Sequence, residues 1–336
     1  MNKYDSVRKF TLLLLSFAFL PSVFSADQLT FHTDGETLTV IGCDKNASGE
    51  IVIPSKHNGK QITSIGYAAF SMCTSISSVK IPQGVKNIGR HSFSGCSSLK
   101  KVTIPNSVSK IDGGAFSHCS NLTSITIPES VTIIGSGAFS HCGNLTSITI
   151  PESVISIGEW VFYNCNKLVH VSFPANTKSI KRWFFYNCES LERVIIPSNV
   201  STIGNEAFYN CKSLKNVIFK GSAPKNLGEN VFSGVSNNAK VIIYPDATGF
   251  VETFEGLPVE VVNGVKIKFS GQSSYLFEIR FDTILGSNYK IEVTQDFNQW
   301  SEIGEVVGTG STVRFIDPRL PLVPFKRNYF RVKLID

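Results

Sequence analysis

A phenylalanine recurs every 23 residues through the middle of this chain, at Phe70, Phe93, Phe116, Phe139, Phe162, Phe185 and Phe208. Cysteine keeps the same period at Cys73, Cys96, Cys119, Cys142, Cys165, Cys188 and Cys211, and proline keeps it from Pro82 to Pro197. A leucine column runs through Leu99, Leu122, Leu145, Leu168, Leu191 and Leu214, with Ile76 ahead of it. A period of this length marks a repeat architecture. One unit cannot bury its own apolar side, so neighbouring units must stack into a continuous core.

The unit Cys119–Phe139 reads CSNLTSITIPESVTIIGSGAF. Leu122, Ile125 and Ile127 have leucine-rich-repeat strand spacing, and their alternation with Ser124 and Thr126 has the two-residue period of a strand. Pro128 has no N–H for a ladder and ends that strand. Val131 and Ile134 turn the chain inward again, and Ala138 with Phe139 fills a short turn. The pattern closely resembles the BspA-like leucine-rich repeats, the Treponema pallidum type, of bacterial surface antigens. The resemblance covers roughly residues 29–262 and implies surface display, adhesion and protein binding. It carries no fixed set of ligand residues onto this chain. Both ends depart from the period, as caps of an open core must. Ile51, Ile53 and Pro54 match a strand end, and five extra residues around His57, Asn58 and Gly59 precede the first full coil. Phe232 is displaced from its column, and Phe219 with Lys220 replaces the usual Ile-Pro pair.

After Val262 the period stops. Short alternating runs at 276–281, 289–294, 312–316 and 329–334 are separated by turn-forming residues at 286–288, 308–310 and 317–318. They predict a small β-sandwich with Trp300 and Phe330 as core candidates, and they loosely resemble fibronectin type III modules. The predicted fold is therefore mainly β: a signal peptide at 1–25, a leucine-rich-repeat solenoid of 23-residue coils at 26–262, and the sandwich at 263–336.

The signal peptide rests on Lys3, Arg8 and Lys9 ahead of the apolar run 10–20, with small residues Val23 and Ser25 before a cut after Ser25. The run is too short for a transmembrane helix. The sequence thus points to an exported protein that is secreted or at the cell surface. Without those 25 residues there are 29 basic and 25 acidic residues and no basic run, which argues against nucleic acid as a partner.

Seven of the eight cysteines share one column, so the expectation is buried free thiols rather than disulfides, with Cys43 as the odd one out. His118 and His141 lie one repeat apart beside ladder cysteines. The C-x-x-C and H-x-x-x-H spacings of a zinc site are missing, so no metal and no cofactor are expected. No motif of a catalytic nucleophile, metalloprotease or phosphate loop occurs either, and an enzyme is not expected.

Two outer surfaces remain. One carries Ser124, Thr126, Ser147, Thr149, His170, Ser172, Arg193, Ile195, Asn216 and Ile218 at outward strand positions, as good solvent-facing strand residues would. The other is aromatic. The residue after the column phenylalanine is serine at Ser94, Ser117 and Ser140 but tyrosine at Tyr163, Tyr186 and Tyr209. Trp160 and Trp183 are also one repeat apart, with Lys181, Arg182, Lys212 and Lys215 nearby. Trp160, Tyr163, Trp183, Tyr186, Tyr209, Arg182 and Lys212 are the candidate ligand-binding residues, for a protein or glycan ligand, and the basic edge favours an acidic partner. The alternatives are a ladder of tyrosines that only stack on one another, a structural spacer that presents the C-terminal domain, and, remotely, a hydrolase-associated module.

Overall fold

The computed structural model describes residues 28–244, 247–261, 267–269, 278–284, 286–294, 301–316 and 329–335. The segment expected to be a signal peptide, Trp300 and the side chain of Phe330 lie outside the described residues. The chain is an all-β solenoid of coils with a period of about 23 residues, followed by small antiparallel sheets. It divides into two units: Met1–Glu192 with Thr202–Leu214 and Asn226–Ser236, and Arg193–Ser201 with Lys215–Lys225 and Asn237–Asp336.

In the first unit, short parallel strands stack one per coil at Lys60–Ile65, Asn87–Ile88, Lys110–Ile111, Ile133–Ile134 and Ser156–Ile157. Thr37–Cys43 and the antiparallel Leu29–Thr33 close the N-terminal end. The five extra residues fold back as a hairpin: Lys56–His57 pairs with Lys60–Ile65 through Asn58 and Gly59, both left-handed (φ 49° and 78°), as a two-residue turn requires.

Buried columns that repeat from coil to coil fill the core. The phenylalanines stack ring on ring from Phe70 to Phe208 at 4.8–5.8 Å, and Phe232 continues the stack at 5.2 Å despite its displaced position. The leucine column is buried beside them, as are Ile125 and Ile127. Ser124 and Thr126 are exposed as expected, yet Thr123–Ile127 joins no ladder. Burial of alternate side chains holds this segment extended without strand pairing.

Every cysteine is buried and free. From Cys96 onward each thiol donates to the carbonyl of a phenylalanine in the preceding coil, as in Cys119 to Phe93 at 3.2 Å and Cys165 to Phe139 at 3.1 Å. The column therefore fills space and satisfies a buried carbonyl. Burial pushes the Cys142 thiol up to about 12, and Cys119, Cys165 and Cys188 move the same way for the same reason. Cys43 sits beside Cys73, and the hydrogen bond between their thiols raises Cys43 and lowers Cys73. A thiol reagent is expected to label few of these cysteines in native protein and all eight after unfolding, because reaction needs an accessible thiolate. Mass mapping that finds several intramolecular disulfides in native, oxidised protein would contradict this arrangement.

The ladder stops between Ser156–Ile157 and Ser179–Ile180, which begins a new one with Thr202–Ile203 and Asn226–Leu227. The coil at the break carries oversized residues. Phe173 replaces the column isoleucine, Phe184 stands where other coils have Ala69, Ala115, Ala138 or Ala207, and Lys181 occupies a position that is glycine at 135, 158 and 204. Phe184 packs on Phe162, Phe173 and Phe185 at 4.9–5.7 Å. The added volume coincides with the loss of strand pairing at this edge, while the turns of the same two coils stay bonded, as in Phe162 N to Phe184 O at 3.1 Å.

The second unit contains parallel strands Arg193–Ile196, Asn216–Phe219, Lys240–Ile243 and Leu257–Val261, ended by a hairpin from Thr253–Phe254. Ile218 is buried here and not outward as the alternation implies. The run Val217-Ile218-Phe219 is continuously apolar, the pattern of a strand covered on both faces. The C-terminal part forms two three-stranded antiparallel sheets, Ile267–Phe269, Glu278–Asp282 and Thr312–Ile316 in one and Ser301–Val307, Asn288–Thr294 and Tyr329–Leu334 in the other. Ile279 and Phe281 from the first meet Tyr289 and Ile291 from the second in a buried cluster, with the Phe281 and Tyr289 rings 5.5 Å apart. Arg193 reaches the turn of this region, donating to the Gly286 carbonyl and to Ser287 Oγ at 3.1 Å each.

Candidate functional site

The site lies on the turn that carries the phenylalanine. In each coil two backbone positions of this turn are left-handed. The first runs through Ala68, His91, Gly114, Gly137, Trp160, Trp183 and Glu206, and the second through Met72, Gly95, His118, His141, Asn164, Asn187 and Asn210. The turns stack by bonds such as Trp160 N to Arg182 O at 3.1 Å and His141 N to Tyr163 O at 2.7 Å. Side chains in one column are therefore held one rung apart.

Two outer columns become stacks, one of tyrosines and one that changes from histidine to asparagine. Tyr163, Tyr186 and Tyr209 pile face to face at 4.9 and 4.8 Å, within 11° of parallel. His118 and His141 stack at 4.1 Å, and His141 leads into the tyrosines at 5.4 Å. Asn164, Asn187 and Asn210 form an amide ladder at 2.7–2.8 Å. Because the tyrosine faces cover one another, the stack presents ring edges and hydroxyls. Desolvation, then Tyr163, Tyr209 and Glu206, raise the Tyr186 phenol, so it stays a proton donor.

The tryptophans do not join a stack. Gly137 lacks the Cβ that would stand 2.9 Å from the Trp160 ring, so Trp160 lies over the preceding coil, and it is 39% exposed. Trp183 is fixed by its neighbours. Its indole N–H donates to Glu206 Oε2 at 3.0 Å, and the Arg182 guanidinium covers its ring at 3.9 Å. Trp160, Tyr163, Trp183 and Tyr186 line a pocket of about 280 Å³ together with His141 and Glu206.

Of the candidate residues, these four aromatics converge on one pocket. Tyr209 stacks behind Tyr186 without lining it. Arg182 is paired with Glu159 at 3.6 Å and Lys212 with Glu189 at 2.7 Å, so neither forms an open basic edge. Glu206 did not stand out in the sequence, and His141 stood out only as a metal-ligand candidate beside the ladder cysteines. Their signal was positional: Glu206 follows Trp183 by one period, and His141 precedes Asn164 by one. Burial and the neighbouring His118 lower the His141 pKa, which keeps its ring neutral near pH 7. Beside the histidines, Cys119 and Cys142 turn inward to carbonyl oxygens.

Comparison with known proteins matches residues 48–168 and 132–254 to the BspA type leucine rich repeat region, in six copies. No curated protein matches the chain. Among solved structures, a leucine-rich-repeat protein of T. pallidum is 26% identical, covers 63% of this chain and 88% of its own, and superposes with a TM-score of 0.50. A leucine-rich-repeat protein from Bacteroides ovatus is 27% identical over 71% of this chain and 76% of its own, with a TM-score of 0.47. Among the described residues no helix is long and apolar enough to cross a membrane.

Proposed function

The chain belongs to the BspA-type leucine-rich-repeat family, and from that premise we propose that it is an exported, non-enzymatic binding and adhesion protein that holds a protein or glycan ligand at the aromatic pocket. One observation carries this reading. Trp160 and Trp183 sit at left-handed positions, with φ of 47° and 56°, where the two preceding coils place Gly114 and Gly137. A side chain there costs about 1–2 kcal/mol relative to glycine. The turn does not need tryptophan, since glycine serves it, and the core does not need it, since the phenylalanine column is complete. Strain of this kind gathers at binding sites, where the rest of the structure offsets it.

Export to the surface or beyond is supported by the N-terminal pattern of Lys3, Arg8, Lys9 and the apolar run 10–20. The C-terminal sheets serve as a spacer or docking module of fibronectin type III character.

The test is to screen the protein against extracellular-matrix glycoproteins and a glycan panel. Tyr163, Tyr186 and Tyr209 are then replaced together by serine, the residue of this column at Ser94, Ser117 and Ser140. The variant should still unfold cooperatively and should bind its partner at least roughly thirtyfold more weakly, about 2 kcal/mol, as loss of interface anchors does. Unchanged affinity would make the tyrosine stack structural and move recognition elsewhere.

A further inference from the structure

We propose that the aromatic pocket takes an organic cation, a lysine or arginine side chain presented by a partner protein. The inference rests on the pocket being the binding site and assigns the chemistry of what enters it. Glu206 is the acidic residue of the lining, and no lysine or arginine lines the pocket. The Trp183 indole N–H occupies Glu206 Oε2 and leaves Oε1 to a ligand. Two of the nearby cations are already engaged, Arg182 with Glu159 and Lys212 with Glu189. The site therefore offers one carboxylate beside the two indole rings, whose faces are negative, while the stacked tyrosines contribute hydroxyl oxygens at their edges. That combination attracts cations by both charge and ring quadrupole.

The molecule contains an instance of the same contact. Arg182 lies 3.9 Å over the Trp183 ring, showing that this indole accepts a guanidinium. Size points the same way. A pocket of about 280 Å³ lies at the lower end of the range for small-molecule sites, roughly 300–1,000 Å³, and has room for one side chain. Gly137 sets the rim, because the open space over its Cα is what seats Trp160.

The experiment follows the three indole N–H resonances of the full chain by NMR, with Trp160→Phe assigning one of them. The probes are Nα-acetyl-lysine methylamide, Nα-acetyl-arginine methylamide, Nα-acetyl-glutamate methylamide and methyl β-glucoside. The lysine or arginine probe, or both, should shift the Trp160 and Trp183 signals saturably, and their separate titrations identify which cation fits. The acidic and neutral probes should not. Glu206→Gln keeps an oxygen for the Trp183 N–H and removes the charge, so it should weaken cation binding about tenfold. In the unaltered protein, rising salt should weaken it as well, a readout that does not depend on a variant folding.

Equal cation affinity in Glu206→Gln, or saturation by the glucoside without the cations, overturns the assignment and leaves the pocket as a binding site of another kind. No saturable shift with any probe also overturns it. If in addition the triple tyrosine variant keeps its partner, the reading of the pocket as the binding site fails too.

Discussion

Phe139→Ala is expected to destabilise the solenoid by about 3–5 kcal/mol, the cost of removing a buried aromatic ring and leaving its volume empty. Phe139 is fully buried, with Phe116 at 5.7 Å on one side and Phe162 at 5.8 Å on the other. The rungs are joined through backbone bonds on both sides, such as Phe139 N to Val161 O at 3.1 Å, so they cannot collapse into the void without breaking their own ladders. A second consequence follows from the one-dimensional architecture. Each coil touches only its neighbours, so stability is close to a sum of coil and interface contributions. A hole in the middle of the stack weakens the coupling between its two halves. Denaturant unfolding should then show both a lower midpoint and a shallower slope, as two part-independent transitions do. Ser124→Ala is the control, since Ser124 is exposed and its loss should fall within about 0.5 kcal/mol. Equal losses from the two substitutions would mean that the inner and outer faces of the coil have been exchanged.

How much of this was legible in the sequence depended on repetition. Phe139, Cys142 and Leu145 could be placed in the core because each recurs in register along many coils, and only an inward position needs the same shape every time. The aromatic site could be read only in part. Trp160, Tyr163, Trp183 and Tyr186 stood out as a change of residue type within their columns. Glu206 did not, because it occurs once in a column that runs Ala68, His91, Gly114, Gly137, Trp160, Trp183, Glu206, and His141 reads as one of a pair with His118 beside the ladder cysteines and not as a neighbour of the aromatics. A pocket formed across rungs joins residues on different coils that are 19 (His141 to Trp160) to 65 (His141 to Glu206) positions apart, and no local pattern marks that. Charge pairing across rungs was not legible for a related reason. Arg182 and Lys212 look like a basic edge in the sequence, but Glu159 and Glu189, each 23 positions earlier, lie against them in the stack. Ile218 shows the limit of alternation, which assumes one solvent face and does not hold for a strand covered on both.

The glycines of the solenoid carry a constraint that the apolar columns do not, and Gly158→Ala is the sharpest test of it. A Cβ at Gly158 would lie 2.2 Å from the backbone nitrogen of Ser136 and 2.4 Å from its Cα. Both are main-chain atoms of the preceding coil, so no side chain can swing aside. The same approach recurs at Gly135, Gly204 and Gly228, whose added Cβ atoms would stand 2.2–2.4 Å from a backbone nitrogen one rung back. These positions set how closely successive coils can stack. Alanine at 158 should force the rungs apart and strain the bond from Gly158 N to Ile134 O, now 2.8 Å, at a cost of about 3 kcal/mol. Gly143 is the matched control. Nothing stands within 4 Å of its would-be Cβ, so Gly143→Ala should be neutral or stabilise by up to about 1 kcal/mol through the unfolded chain. The column already contains two departures, and they make the prediction specific. Asp112 is followed by Gly113 and Gly114, and its coil stays paired on both sides. Lys181 is followed by Arg182 and Trp183, and there the ladder is broken. Gly158 is followed by Glu159 and Trp160, as at Lys181, so alanine there should open a second break, read as faster hydrogen exchange at the Gly135 and residue-158 amides. If those amides keep their protection and the midpoint is unchanged, rung spacing is not set by this column, and the break before Ser179 must come from Phe173 and Phe184 alone.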